Sequence, residues 1–165
     1  MTREIQPLNP AQTNLITSAG YDRMYAELRK LSDEDRPVLL VEIADAAAQG
    51  DRSENAEYIY GRKKLREVDK RVNYLKGRLE RAKIIDPKLQ PTDVIGFGAV
   101  VVIVGEDGVE KKWWIIGEDE ADPSAGIISW LSPLGRALMK KKIGDHVEVE
   151  TPRGQIEYQI LKITY

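Results

Sequence analysis

The chain has 165 residues, of which 42% are apolar and 32% charged, and its net charge is -2. That is room for one ordinary domain or two small ones, with enough apolar material for a packed core. It has no cysteine and a single histidine, His146, which excludes disulfides, thiolate zinc sites, cysteine nucleophiles and multi-histidine metal centres.

Residues 1–14 carry Pro7 and Pro10 and no hydrophobic periodicity, so they read as a mobile tail. They lack the apolar core of a signal peptide, and no apolar run in the chain approaches the ~20 residues of a membrane helix. A cytoplasmic protein without a membrane partner is expected. Helical pattern begins at Thr17 or Ser18, either of which suits a cap, and Met24, Leu28 and Leu31 follow at i, i+4, i+7. Pro37 is expected to interrupt this helix or to open a new one capped by Ser32. Apolar positions continue through Val38, Leu39, Val41, Ile43, Ala44 and Ala47, and Gly50 suits a left-handed terminus.

A second helix has a heptad seam of Tyr58, Leu65, Val68, Val72, Leu75, Leu79 and Ala82, with Gly61 its one weak position. The short connection between the two makes them partners in an antiparallel hairpin over 15–85. About 30 residues per arm would give a rod roughly 45 Å long, too slender to be a globular core. Residues 86–93, DPKLQPTD, read as a linker. From residue 94 the texture changes to strands: FGAVVVIVG, KKWWII, IISW, the alternation after His146, and a last run whose phase shifts near Leu161 and so predicts a bulge or a change of packing partner. Ser132 and Pro133 open a short helix. Of the adjacent Trp113 and Trp114, only one can face the core, and Trp114, or else Trp113, is expected there. The expected class is α+β, with a helical hairpin followed by a small antiparallel sheet domain, 94–165.

The turn of the hairpin, near 50–57, reads GDRSENAEY and holds Asp51, Glu54 and Glu57. One reading is capping, since acids near a helix N-terminus interact favourably with its dipole, and Ser53 could cap. The other is metal chemistry. Mg²⁺ is commonly held by one or two carboxylates together with waters and substrate phosphates. Asp51 and Glu54 would supply such a partial set, leaving another molecule to complete it.

Residues 61–83 carry ten basic side chains and three acids, a local balance of +7, so the rest of the chain carries -9. Lys64, Arg71 and Arg78 recur at seven-residue intervals beside the seam, and Lys63, Arg66 and Lys70 cover the adjoining surface. A solvated helix face carries mixed charge. A one-sided face suits a nucleic-acid backbone.

The run GDRSENAEYIYGRKKLREVDKRVNYLKGRLE resembles the bacterial transcript cleavage factors of the Gre family, its GreB branch more than its GreA branch. The resemblance extends back through LITSAGYDRMYAELRKL and DRP, and forward through FGAVV, ISWLSPLGRALMKKKIGD and VETPRG. It implies an N-terminal coiled coil and an FKBP-like C-terminal domain that docks at the secondary channel of RNA polymerase. It further implies that the tip enters the channel and stimulates the polymerase's own cleavage of backtracked RNA, without a complete active site of its own. By match to the motif, Asp51 and Glu54 would help hold a second Mg²⁺, shared with the polymerase and weak in isolation, and order the attacking water. The nascent RNA 3′ segment would lie on the basic helix, at Lys63, Lys64, Arg66, Lys70, Arg71 and Arg78. Leu131, Ser132, Pro133 and Leu134 match the docking segment, with Leu131 where relatives often carry Asp or another polar residue. No cofactor is expected to bind stably, and no small-molecule substrate is implied. Alternative readings are a channel-binding inhibitor, an RNA-binding adaptor that needs no polymerase, and a prolyl isomerase built on the FKBP-like domain.

Overall fold

The structure, a computed structural model, describes residues 13–50, 55–152 and 154–165. These form two compact units. One is Tyr21–Arg81; the other joins 13–20 to Ala82–Tyr165.

In the first unit, α1 (Ser18–Arg29) passes without a break through a π-helical segment, Lys30–Asp35, into α2 (Arg36–Ala48). Of the two expectations at Pro37, the interruption does not occur; Pro37 lies in the first turn of α2, which continues the segment before it. Proline removes one N–H, and its ring collides with the carbonyl four residues back in a regular helix. Widening the turn relieves this: the Arg36 N–H donates to the carbonyl of Leu31, five residues back, just ahead of the proline. Ser32 therefore has no helix to cap, and its hydroxyl donates to Asp33 instead.

The second arm is α3 (Ala56–Glu80). Paired positions run oppositely along the two arms: Glu27 with Arg71, Arg36 with Asp69, Ile43 with Gly61, Ala46 with Asn55. The arms are therefore antiparallel. Leu39, Ile43 and Ala46 are the buried positions of α2, at i, i+4, i+7, with Ile43 against Gly61, and the buried positions of α3 are Gly61, Val72 and Leu75. Each leucine or isoleucine so buried contributes about 1.5–3 kcal/mol. Val38 and Val41, both in the expected apolar series, lie exposed instead. Gly61 is no gap in the seam. A Cβ there would lie 2.7 Å from Cγ1 of Ile43, so the missing side chain is what lets the arms close. Gly50 takes φ 156°, not the left-handed helical value near +57° expected of a C-terminal glycine.

In the second unit the chain before α1 and the chain after α3 meet. β1 (Asn14–Ile16) pairs in parallel with β2 (Ala82–Ile84), and the Ile85 N–H donates to the Ile16 carbonyl at 2.9 Å. Asn14, Leu15 and Ile16 are all buried. Periodicity alone assigns Asn14 to the tail and extends the hairpin to residue 85. By contacts, 13–20 and everything from Ala82 belong with the sheet, and Ala82 is a strand residue, not the last rung of the heptad. The cause is apolar burial: Leu15 packs with Phe97 and Ile116, and Ile85 lies against the same cluster. Residues 1–12 of the expected tail lie outside the described residues.

Thr17 is the cap of α1, with its Oγ1 accepting from the Gly20 N–H at 3.0 Å. Glu120 holds that cap from 103 residues away, accepting from the Thr17 N–H at 3.0 Å and from the Thr17 hydroxyl. Nothing in local sequence announces this pairing.

The main sheet has the order β5 (Ile127–Ser129), β4 (Glu110–Ile116), β3 (Val100–Gly105), β7 (Gly154–Thr164), β6 (His146–Thr151). It is mixed. Three pairings are antiparallel, but β5 lies parallel to β4 because the chain 117–126 crosses back before β5 begins. The expected all-antiparallel sheet is corrected at this edge. The predicted bulge is present: Val102 faces Lys162 and Ile103 faces Ile160, leaving Leu161 as the extra residue. Ile95, Val101, Ile103, Ile115, Leu138 and Ile160 form the centre of the core. Trp113 packs against it in place of the first expectation, Trp114, which stays partly exposed and donates from Nε1 to the Gly98 carbonyl at 3.1 Å. The start of the sheet domain, just after the linker, is tied to the chain's last residue. Tyr165 accepts from the Gly96 N–H and donates to the Val94 carbonyl, both at 2.8 Å.

Candidate nucleic-acid interface and docking segment

The end of the hairpin is built around Asn55. Its Oδ1 accepts from the Tyr58 N–H at 3.1 Å, capping α3, and its Nδ2 donates to the Ala46 carbonyl at 2.8 Å, which closes the far arm. One side chain thus satisfies an orphan donor of one helix and gives a second donor to a last-turn carbonyl of the other, which also accepts from the Gln49 N–H at 3.2 Å. Sequence reasoning places the cap at Ser53 and misses this role. Asparagine ranks with the best N-cap residues, so the signal is present. Asp51, Ser53 and Glu54 lie outside the described residues; Glu57 is exposed in the first turn of α3. Among the described residues no group of three or more His, Asp or Glu could hold a metal ion.

The cations predicted to meet RNA divide into two kinds. Lys63, Lys64, Arg66 and Lys70 are exposed on α3. Arg71 is engaged: Nε and Nη2 donate to the two carboxylate oxygens of Glu27 at 2.7 and 2.8 Å, and the guanidinium lies 5.3 Å from the ring centroid of Tyr74. Arg78 is half-buried. Arg36 makes a second inter-arm pair with Asp69 at 2.8 Å. Arg71 is therefore an inter-arm clamp whatever else it does, and Glu27 is the partner that residue spacing alone could not identify.

The Arg71 hydrogen bonds hold the Glu27 carboxyl below its usual range. A carboxylate with a depressed folded-state pKa stabilises the fold above its unfolded value of about 4.3, and that contribution fades as pH falls through the lower folded value. Arg71→Ala is expected to cost about 0.2–1 kcal/mol of hairpin stability near neutral pH, the range of an exposed pair. The difference from wild type should shrink on acidification below the unfolded value. Urea unfolding of both proteins between neutral and acid pH reads this directly.

The predicted docking residues cluster in the other unit, at α4 (Pro133–Leu138). Ser132 caps it, accepting from the Gly135 N–H at 3.0 Å while donating to the Ser129 carbonyl at 2.7 Å. The Leu131 N–H donates to Ser129 Oγ at 3.1 Å. Leu134 is half-buried against the core and Leu138 fully buried, so Pro133 is the exposed member of the segment. Gly135 is required here. A Cβ would overlap the Ser129 carbonyl oxygen, which already serves Ser132 twice.

No helix among the described residues is long and apolar enough to cross a membrane. Residues 14–84 match the family described as transcription elongation factor, N-terminal, and residues 90–165 match transcription elongation factor, GreA/GreB, C-term. The chain is 46% identical over 155 residues to transcription elongation factor GreB of Yersinia pestis, covering 94% of this chain and 91% of that one. It is 43% identical over 153 residues to the GreB of Neisseria meningitidis serogroup B, covering 92% and 94%. A solved structure, the GreA factor homolog Gfh1 of Thermus thermophilus, aligns over 93% of this chain and 99% of its own, at 24% identity and a TM-score of 0.44. The helical hairpin and the sheet unit each match their half of one family, and the chain belongs to the GreA/GreB transcription elongation factors, on the GreB side.

Proposed function

We propose that this chain binds RNA polymerase through its sheet unit and stimulates the polymerase's own cleavage of backtracked RNA through the end of its hairpin. It is a factor that acts with the polymerase and supplies part of a reactive centre. The observation that carries this reading is the closure of the two arms at Asn55, because the residues joining them in the sequence are those of the GDRSEN element. Asp51 and Glu54 are the oxygen donors this chain offers to a shared Mg²⁺. Two carboxylates form an incomplete shell that polymerase groups and an RNA phosphate would finish. When bound, such an ion stabilises charge on the attacking or leaving oxygen of an in-line displacement. The exposed Lys63, Lys64, Arg66 and Lys70 face the extruded 3′ segment of the RNA, whose phosphates they neutralise. Pro133 and its neighbours 131, 132 and 134 meet the polymerase.

The test uses polymerase halted in a backtracked state with labelled RNA. Adding the full chain with Mg²⁺ is expected to accelerate release of the 3′ fragment, and the chain with RNA alone to release none. Polymerase binding with no change in cleavage would replace this reading with that of an inhibitor.

A further inference from the structure

We infer that Tyr60 is a stacking platform for a base of the single-stranded RNA, a subsite that adds to the proposed phosphate track on α3 and rests on that reading. The burial of Gly61, Val72 and Leu75 fixes which side of α3 faces α2. Gly61 pins this phase, since it has no room to rotate a side chain past Ile43. Tyr60, the residue before it, is turned out to the flank and is 67% exposed.

A tyrosine left in water contributes little to hairpin packing, because a ring stabilises by the area it buries. Tyr60 stands beside cations. Lys63 and Lys64 lie three and four residues further on, the spacing at which helical side chains are neighbours, and both are exposed. The same flank carries a second aromatic fourteen residues along, about 21 Å away: Tyr74, 45% exposed, with the Arg71 guanidinium against its ring. Exposed aromatics interleaved with cations are the means by which proteins hold single strands without reading sequence. The cations track phosphates and the rings take the faces of bases. A strand whose phosphates run past Lys63 and Lys64 would have an unstacked base within reach of Tyr60.

The two contributions separate by salt. Stacking involves no ion release, whereas each neutralised phosphate adds about 0.7 to the salt slope of a single strand. Binding of a labelled single-stranded RNA to the full chain is followed by fluorescence anisotropy at several salt concentrations. Tyr60→Ala is expected to weaken binding about five- to 150-fold at unchanged slope. Tyr60→Phe, which keeps the ring, should bind like wild type. Lys64→Gln should lower the slope by about 0.7. An abasic strand of equal length should not distinguish wild type from Tyr60→Ala. Tyr60→Ala binding like wild type, Tyr60→Phe failing like alanine, or a changed slope in Tyr60→Ala would each overturn the stacking role. If wild type itself binds no RNA and Lys64→Gln changes nothing, the RNA track falls, and the subsite with it.

Discussion

Asp51→Asn is expected to reduce stimulated cleavage by a backtracked polymerase about 100-fold or more, with polymerase binding little changed. Removing even the outer partners of a metal site costs about 10–100-fold, and a carboxylate that supplies half of this chain's donor set should cost at least the upper end. Asparagine keeps the size and one oxygen but loses the charge that a hard divalent cation needs. Glu54→Gln should behave alike, and the double variant should be little worse than either, because groups that act as one unit are not additive. Binding should survive because the docking segment lies in the other unit, on α4. The measurement is a single-turnover cleavage rate with saturating factor, beside a competition for polymerase binding. Raising Mg²⁺ should partly rescue a variant whose defect is weak ion capture. Full cleavage by Asp51→Asn would remove the shared-ion proposal altogether.

Gly135→Ala should damage the opposite end of the activity. The new methyl would occupy the position of the Ser129 carbonyl oxygen. That oxygen cannot retreat without breaking two bonds, from the Ser132 N–H at 3.0 Å and the Ser132 hydroxyl at 2.7 Å. Overpacking of this kind costs about 1–3 kcal/mol, and loss of the Ser132 cap would add about 1 kcal/mol. The expected result is a lower urea midpoint for the sheet unit together with weaker polymerase binding. Leu138→Ala is the control, since it empties a fully buried core position without adding bulk against the Ser129 carbonyl. It should cost about 2–5 kcal/mol and weaken binding less for each unit of stability lost. Equal binding losses at equal stability would mean that the turn has no docking role of its own.

Much of this molecule is legible in its amino-acid order. The heptad from Tyr58 to Leu79 announces a paired helix, because a coiled-coil seam is a local, periodic property. The bulge at Leu161 is legible for the same kind of reason: a strand alternates with period two, and a slip in that alternation leaves an extra residue. Ser132 with Pro133 announces α4 by the chemistry of caps. Of the candidate site, the one-sided charge of α3 is plain in the sequence, and Lys63, Lys64, Arg66 and Lys70 are exposed on it.

The departures from local expectation share a cause. Ser32 suits the cap of a helix that Pro37 does not break, since a π turn absorbs the proline at the cost of one widened hydrogen bond. Gly61 reads as a weakness because a glycine lowers helix propensity by about 1 kcal/mol, yet at that point the facing Ile43 leaves no space for more. Arg71 shares the spacing of Lys64 and Arg78, and that spacing does not show its carboxylate partner, which sits 44 residues back on the other arm.

The sequence alone determined the two long helical arms, the strands of the main sheet, the short helix α4, and which residue types gather at the turn and along α3. Those depend on backbone propensities and periodicity, which act over a few residues. Tertiary structure decided the parallel pairing of β1 with β2, the hold of Glu120 on Thr17, the clamp of Glu27 on Arg71 and the parallel edge strand β5. Each joins groups far apart in the chain, and such a pairing is chosen only when the whole core has closed, because its free energy depends on the burial that closure creates.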